Sequence, residues 1–447
     1  MRLSIGASKA KLLFGRSWSE SEELCSGANQ LLRTRSNLLC IERGKPSLAE
    51  RLRRHHARAN YLVSKATGRR TATTTTQSDA DAGDNSASIP TFLGDAVDSL
   101  EYVVTLGIGT PAVEQTVLID TGSDLSWVQC KPCGAGDCFP QKDPLFDPTK
   151  SSSYASVPCD SDACRKLEAG SSGHGCATIG GASVCEYGIE YGNRATTTGV
   201  YSTEKLTLSP GVVVDRFGFG CGDDQHGAFD KFDGLLGLGG APESLVSQTS
   251  SRFRGAFSYC LPPASGGAGF LTLGSSPSNT TNAGFSFTPM RRIPATPTFY
   301  VVTLTGISVG GKPLAIAPSV FSRGMVIDSG TVITGLPATA YAALRSAFRS
   351  AMSEFRLLPP SSDGGLDTCY DFTGHSNVTV PRVALTFSGG ATIDLAVPSG
   401  VMIDGCLAFT GAESDDITGI IGNVNQRTFE VLYDSGKGAV GFRPGAC

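Results

Sequence analysis

The stretch VLIDTGS at Val117–Ser123 returns in the second half of the chain as MVIDSGT at Met325–Thr331. Each copy runs apolar strand formers into an Asp, then sets two hydroxyl residues around a Gly. At average residue usage such a pattern arises by chance in about one chain of this length in several hundred. Two copies therefore mark related halves, separated by far too much chain for a solenoid. Each half also carries a later apolar-apolar-Gly element, Leu235-Leu236-Gly237 and Ile420-Ile421-Gly422. A fold that keeps both copies must bring two acids to equivalent positions in two lobes.

A single carboxylate at the end of an apolar strand is most often a turn or helix-cap residue. Two that share a site cannot both ionise cheaply, so their titrations separate and one proton is held between them. The ionised partner can take a proton from water while the protonated one hydrogen-bonds a carbonyl under attack. That chemistry needs no metal, no cofactor and no covalent nucleophile. Asp120 and Asp328 are the candidate pair. Gly122 and Gly330 permit close approach of the two loops, and the hydroxyls of Thr121, Ser123, Ser329 and Thr331 are placed to hold the acids.

The surrounding composition favours β structure. The 447 residues include 55 Gly, with 40% hydrophobic and 17% charged residues. Short runs rich in Val, Ile, Thr and Phe alternate with Gly, Pro, Ser and Asp, as expected of many strands joined by turns. EYVVTLGIGTP, from Glu101, reads as a strand and turn that opens the body; no helix follows its glycines, so it is not a nucleotide loop. One helix is expected after the second motif, where Pro337 leads into a segment with Tyr341, Leu344, Phe348 and Met352 on one core-facing stripe. No apolar run reaches membrane-spanning length.

The net charge of −4 hides an asymmetry, because residues 1–90 carry +7 and the remainder −11. Within the basic part, 46–65 predicts a helix with Pro at its start, and the polar, low-complexity 71–88 predicts a disordered linker. This predicts a removable segment whose Arg51, Arg53, Arg54 and Arg58 lie over an acidic cleft at neutral pH and loosen in acid. An acidic body offers phosphates no basic surface, which argues against a nucleic-acid partner.

Twelve of the 14 Cys lie from Cys130 onward. The even number, and the lack of a repeated C-x-x-C or regularly spaced His, favour disulfides over zinc. With the sequons at Asn279 and Asn377 they indicate a secretory route, extracellular or vacuolar. The first 25 residues lack the apolar core of a signal peptide. Their basic, Ser-containing start leaves a chloroplast alternative, against which Glu20, Glu22 and Glu23 argue.

On these motifs the chain resembles pepsin-like aspartic proteases from about Glu101 to Cys447. Within them it is similar to the atypical plant branch that includes nepenthesin and the chloroplast-nucleoid protease. The resemblance implies an all-β, bilobal double β-barrel with a few short helices. It implies a targeting and prosegment region with linker over 1–95, an N-terminal lobe with a Cys-rich insertion over 96–290, and a C-terminal lobe over 291–447. By the same resemblance Asp120 and Asp328 are catalytic, Ser123 and Thr331 bond their outer oxygens, Trp127 orients a flap tyrosine at Tyr191, and Gly237 and Gly422 belong to loops threading under the catalytic strands. Asn193-Arg194 departs from the branch at the flap, where a cation at Arg194 would favour acidic or polar substrate side chains. The implied disulfides are Cys130–Cys133, Cys138–Cys221, Cys159–Cys185, Cys164–Cys176, Cys260–Cys447 and Cys369–Cys406. The implied activity is peptide hydrolysis at acid pH by a monomer made as a zymogen, acting on polypeptides without metal or membrane. The competing expectation is a non-catalytic relative that inhibits microbial glycoside hydrolases; both motifs being intact favours the enzyme.

Overall fold

The computed structural model describes residues 2–3, 12–13, 30–33, 38–41, 48–67 and 86–447, except 135, 171, 264–265, 275–283, 361–364 and 396–397. The body is predominantly β. In the first half, Val113–Asp120 is buried almost throughout, as expected of an apolar run covered on both faces. It pairs antiparallel with Tyr102–Ile108 and parallel with Gly234–Gly237, in a register that sets Gly237 beside Asp120. Gly234–Gly237 also pairs antiparallel with Trp127–Gln129, which runs parallel to Val212–His226.

The second half repeats this weave. Met325–Ile327 pairs parallel with Gly419–Ile421, which pairs antiparallel with Thr334–Leu336, itself parallel to Phe409–Gly411. Thus both Asp motifs leave their strands beside an apolar-apolar-Gly strand, the arrangement the sequence repeat foreshadows. Between the halves, Ala87–Leu93, Gly269–Leu273, Ala256–Cys260, Phe429–Asp434 and Ala439–Pro444 form successive neighbours of one sheet. The strand Ala87–Leu93 is therefore part of the body, although the sequence reading placed residues through 95 in the leading segment. Its alternating burial, with Ala87, Ile89 and Thr91 inside, is a strand signal that the polar run before it obscures.

All twelve body cysteines are paired, but four of the six expected bonds are different. The structure joins Cys130 to Cys221, Cys133 to Cys138, Cys159 to Cys176 and Cys164 to Cys185, and it keeps Cys260–Cys447 and Cys369–Cys406. Strand register explains the first change: Cys221 lies opposite Val128, and the Cys130 N–H donates to the Gly222 carbonyl at 2.7 Å. Cys133 is left to close a short loop with Cys138. In the insertion, the helix Asp162–Ala169 packs Cys164 into the core against Cys185, leaving Cys159 for Cys176.

Two helices matter for the site. Ala338–Ala351 buries Tyr341, Leu344 and Phe348, with Met352 just beyond its end, against the second-half core. The basic N-terminal helix, Leu48–Thr67, packs on the body at two patches. Leu52 joins a cluster with Leu100, Val332, Ile333 and Val424, while Leu62 and Ala66 join Phe299, Val301, Val326 and Ile420. It lies between the flap and the Asp motifs: a Cβ added at Gly192 would come within 2.5 Å of the Arg58 Cα.

Candidate active site

Both Asp motifs turn sharply off their strands, and the turns bond each other. The Thr121 N–H donates to Ser329 Oγ at 3.1 Å and the Ser329 N–H donates to Thr121 Oγ1 at 3.0 Å. Each hydroxyl then donates across the pair, Thr121 to the Ile327 carbonyl and Ser329 to the Ile119 carbonyl. These two hydroxyls thus lock loop to loop and do not bond the carboxylates, contrary to the reading that all four hold the acids. Ser123 and Thr331 do so, each donating at 2.5 Å to Asp120 and Asp328 respectively. The N–H groups of Gly122 and Gly330 complete the two settings, at 2.9 and 3.0 Å.

The approach of the loops demands the glycines. A Cβ at Gly122 would lie 2.8 Å from Asp328 Oδ1, and one at Gly330 would lie 2.3 Å from Asp120 Oδ1. Beneath them, a Cβ at Gly237 would meet the Asp124 carbonyl at 2.0 Å and one at Gly422 the Val332 carbonyl at 2.6 Å. Both carboxylates are fully buried, so their ionisation depends on the groups just named.

Above the acids, the hairpin between Ala182–Glu190 and Thr196–Ser209 carries Tyr191 at its turn. Trp127 Nε1–H donates to the Tyr191 hydroxyl at 2.6 Å, which fixes the phenol inside an aromatic cluster with Phe229 and Phe232. Asn193 stabilises the turn by accepting from the Ala195 N–H and donating to the Ala228 carbonyl. Arg194 has φ +63° and is exposed, and it lines neither cavity beside the acids. The expected influence of its charge on a substrate pocket is therefore not seen; the turn geometry directs it outward.

Arg58 of the N-terminal helix reaches the pair, with Nη2 at 2.6 Å from Asp120 Oδ1 and 3.8 Å from Asp328 Oδ2. Burial alone would lift both acids. For Asp120 the Arg58 guanidinium, the Ser123 hydroxyl and the Gly122 amide outweigh it and hold the carboxyl below its ordinary value. For Asp328, farther from Arg58, burial and the neighbouring Asp120 prevail and push it up to about 6. The pair is split, one acid poised to stay ionised and one to hold a proton. Of the four arginines expected over the cleft, Arg58 makes this contact. The Arg53 and Arg54 side chains lie outside the described residues, as does Asn279; Asn377 is exposed.

Two cavities flank Arg58. The smaller is walled by Leu118, Phe229, Phe232 and Leu235, and the helix seals it by placing His55 Nδ1 3.1 Å from the buried Glu101 Oε1. The larger, of about 820 Å³, runs past Gly122, Ser123 and Ile189 to Glu243. Sequence reasoning missed Glu101, His55 and Glu243. Glu101 heads the EYVVTL strand, but nothing in a strand-opening Glu signals a buried contact. Also missed is Asp124, which accepts from Thr298 Oγ1 at 2.5 Å and the Ala241 N–H at 2.8 Å, joining the two halves.

A bilobal β protein with two buried, mutually braced Asp motifs under a tyrosine flap has the architecture of a pepsin-like aspartic protease. The comparisons agree. Two family models match, the xylanase inhibitor N-terminal domain over residues 102–275 and the xylanase inhibitor C-terminal domain over 299–444. An aspartyl protease family protein of Arabidopsis thaliana is 42% identical over 413 residues, 90% of this chain and 83% of its own. Aspartic proteinase nepenthesin-2 of Nepenthes gracilis is 37% identical over 376 residues, 80% of each chain. Basic 7S globulin from soybean, a solved structure, shares the fold at TM-score 0.62 and 20% identity, covering 80% of this chain and 95% of its own. The chain belongs to the plant aspartyl protease family.

Proposed function

We propose that this chain is an acid-active aspartic endopeptidase, that Asp120 and Asp328 are its catalytic dyad, and that the helix Leu48–Thr67 holds it latent. The observation that carries the reading is the pair itself: two buried carboxylates with matching Ser/Thr and Gly donors, set side by side by loops that bond each other. In the open enzyme a water between them loses its proton to the ionised member as it attacks the peptide carbon. The protonated member donates to the carbonyl oxygen, and proton return to the amide nitrogen releases the two products. Tyr191, held by Trp127, closes the cleft over the substrate backbone.

Latency follows from Arg58. Its guanidinium stays charged because the two carboxylates outweigh the burial that would neutralise it. It occupies the position that water and the scissile carbonyl need. The six disulfides support a secretory setting, extracellular or vacuolar, and Asn377 is a candidate glycan site on an exposed loop.

The test is peptide hydrolysis by protein beginning near Asn85, given unfolded protein substrates at pH about 4. Cleavage blocked by a statine-type transition-state mimic, and untouched by chelators or serine- and cysteine-directed reagents, is the expected result. A folded body inert on every unfolded protein tested, but binding and blocking a microbial xylanase, supports instead the inhibitor reading that the description of the matching family models suggests.

A further inference from the structure

The larger cavity has a carboxylate at its wall that the mechanism above does not use. Glu243 is 6% exposed, yet its side chain faces about 820 Å³ of open cleft shared with Gly122 and Ser123 of the first Asp loop. Among the described residues no ion pair joins it to a Lys, Arg or His; the donor it meets is its own backbone amide. Its surroundings make the lack of a cation costly. Burial and the nearby Asp124 carboxylate both push the Glu243 carboxyl up. Its Oε1 lies where a Cβ on Gly170 would be 2.8 Å away, at the C-terminal end of the helix Asp162–Ala169, where backbone carbonyls add negative potential.

A buried acid beside another acid and a helix C-terminus is destabilised until a positive charge arrives. The latent form brings cations toward this cavity on the N-terminal helix: Lys65, held over the Tyr61 ring at 4.7 Å, and Arg58 both line it. When the helix leaves, both go with it. The charged groups left on the wall are Asp124, Glu190 and Glu243 against Lys166, the last two of these four standing on opposite sides of the balance. An extended peptide advances about 3.3 Å per residue, so a cleft that begins at Ser123 reaches side chains within a few residues of the scissile bond.

We propose that Glu243 is a specificity-determining residue, selecting substrates with a Lys or Arg side chain in the cavity bounded by Gly122–Leu125, Ile189 and 294–299. The inference rests on the protease reading. Lysine or arginine supplies the missing ion-pair partner, and its methylene stem lies along Ile189 and Phe299 while the charge reaches the acid. A neutral side chain of the same length gains no ion pair, and because Glu243 must be ionised to make one, the preference for lysine is expected to grow as pH rises within the active range.

The experiment scans single lysine, norleucine and glutamate residues through four positions on each side of the cleaved bond in one peptide, with the processed body as enzyme. At one position on the cavity side, lysine is expected to exceed norleucine by at least about tenfold in kcat/KM, mainly through KM. Glu243→Gln is expected to bring that ratio to about one, and Glu243→Lys to invert it in favour of glutamate. Cleavage by the wild-type body with no lysine preference at any position overturns the inference, whatever the variants do, and leaves the protease reading intact. So does a lysine preference that survives Glu243→Gln. Absence of cleavage of all peptides, or cleavage that persists in Asp120→Asn, overturns the protease reading and this inference with it.

Discussion

At the scale of single residues, the site is governed by how closely two loops can approach. Gly122 and Gly330 each face the other half's carboxylate at distances no Cβ tolerates, so their role is spatial. Gly122→Ala is expected to push the Asp328 carboxylate from its Gly330 and Thr331 donors. Overpacking of this kind costs about 1–3 kcal/mol. The expected outcome is a fall of at least about tenfold in kcat/KM with only a modest drop in the midpoint of thermal unfolding; near-normal kinetics would show that the loops can separate without harm. The motif residues were legible in the sequence because the pattern occurs twice. The division of labour among the four hydroxyls was not, since Thr121 and Ser123 have the same chemistry and only the turn decides which reaches the carboxylate. Glu101 and Glu243 were invisible for a related reason: burial of a carboxylate depends on what packs over it from distant segments.

At the scale of elements, the N-terminal helix carries the proposed latency. Its basic composition and length were readable, and so was its direction of charge toward an acidic cleft. Which arginine would reach the pair was not, because that depends on where Leu52, Leu62 and Ala66 find their apolar seats. Arg58 lowers the affinity of both acids for protons. The undocked body therefore binds protons more readily than the docked form, and linkage makes docking weaken as pH falls. For Asp328 the loss begins above the docked value of about 6, at the higher value the acid takes once Arg58 leaves, and is complete below it; Asp120, held lower, adds to the loss at more acid pH. Arg58→Met keeps much of the bulk and removes the charge. In the full chain it is expected to move the onset of activity upward by about one pH unit or more, since one unit corresponds to about 1.4 kcal/mol. An unchanged activation profile would assign latency to the apolar seats alone. The disulfides show the limit of element-level reading: their number was clear, but four pairings depended on strand register and on the Asp162–Ala169 helix, neither of which cysteine spacing encodes.

At the scale of the whole molecule, two half-structures with the same weave each supply one acid, and the shared central sheet holds them together. The repeat of an apolar strand, Asp, hydroxyl and Gly was enough to infer two lobes. The strand exchange between them was not legible, because Phe429–Asp434 and Ala439–Pro444 cross to pair beside Ala256–Cys260 without any local sign of their partner. Because each half supplies one acid, the proposed dyad exists only in the assembled molecule. The most direct measurement is kcat/KM of the processed body at acid pH for wild type, Asp120→Asn, Asp328→Asn and the double variant, with circular dichroism to confirm folding. Each single change is expected to cost at least about a hundredfold, and the double change little more than either, as for groups acting as a unit. A folded Asp328→Asn protein with near-normal, statine-sensitive hydrolysis would contradict the shared dyad.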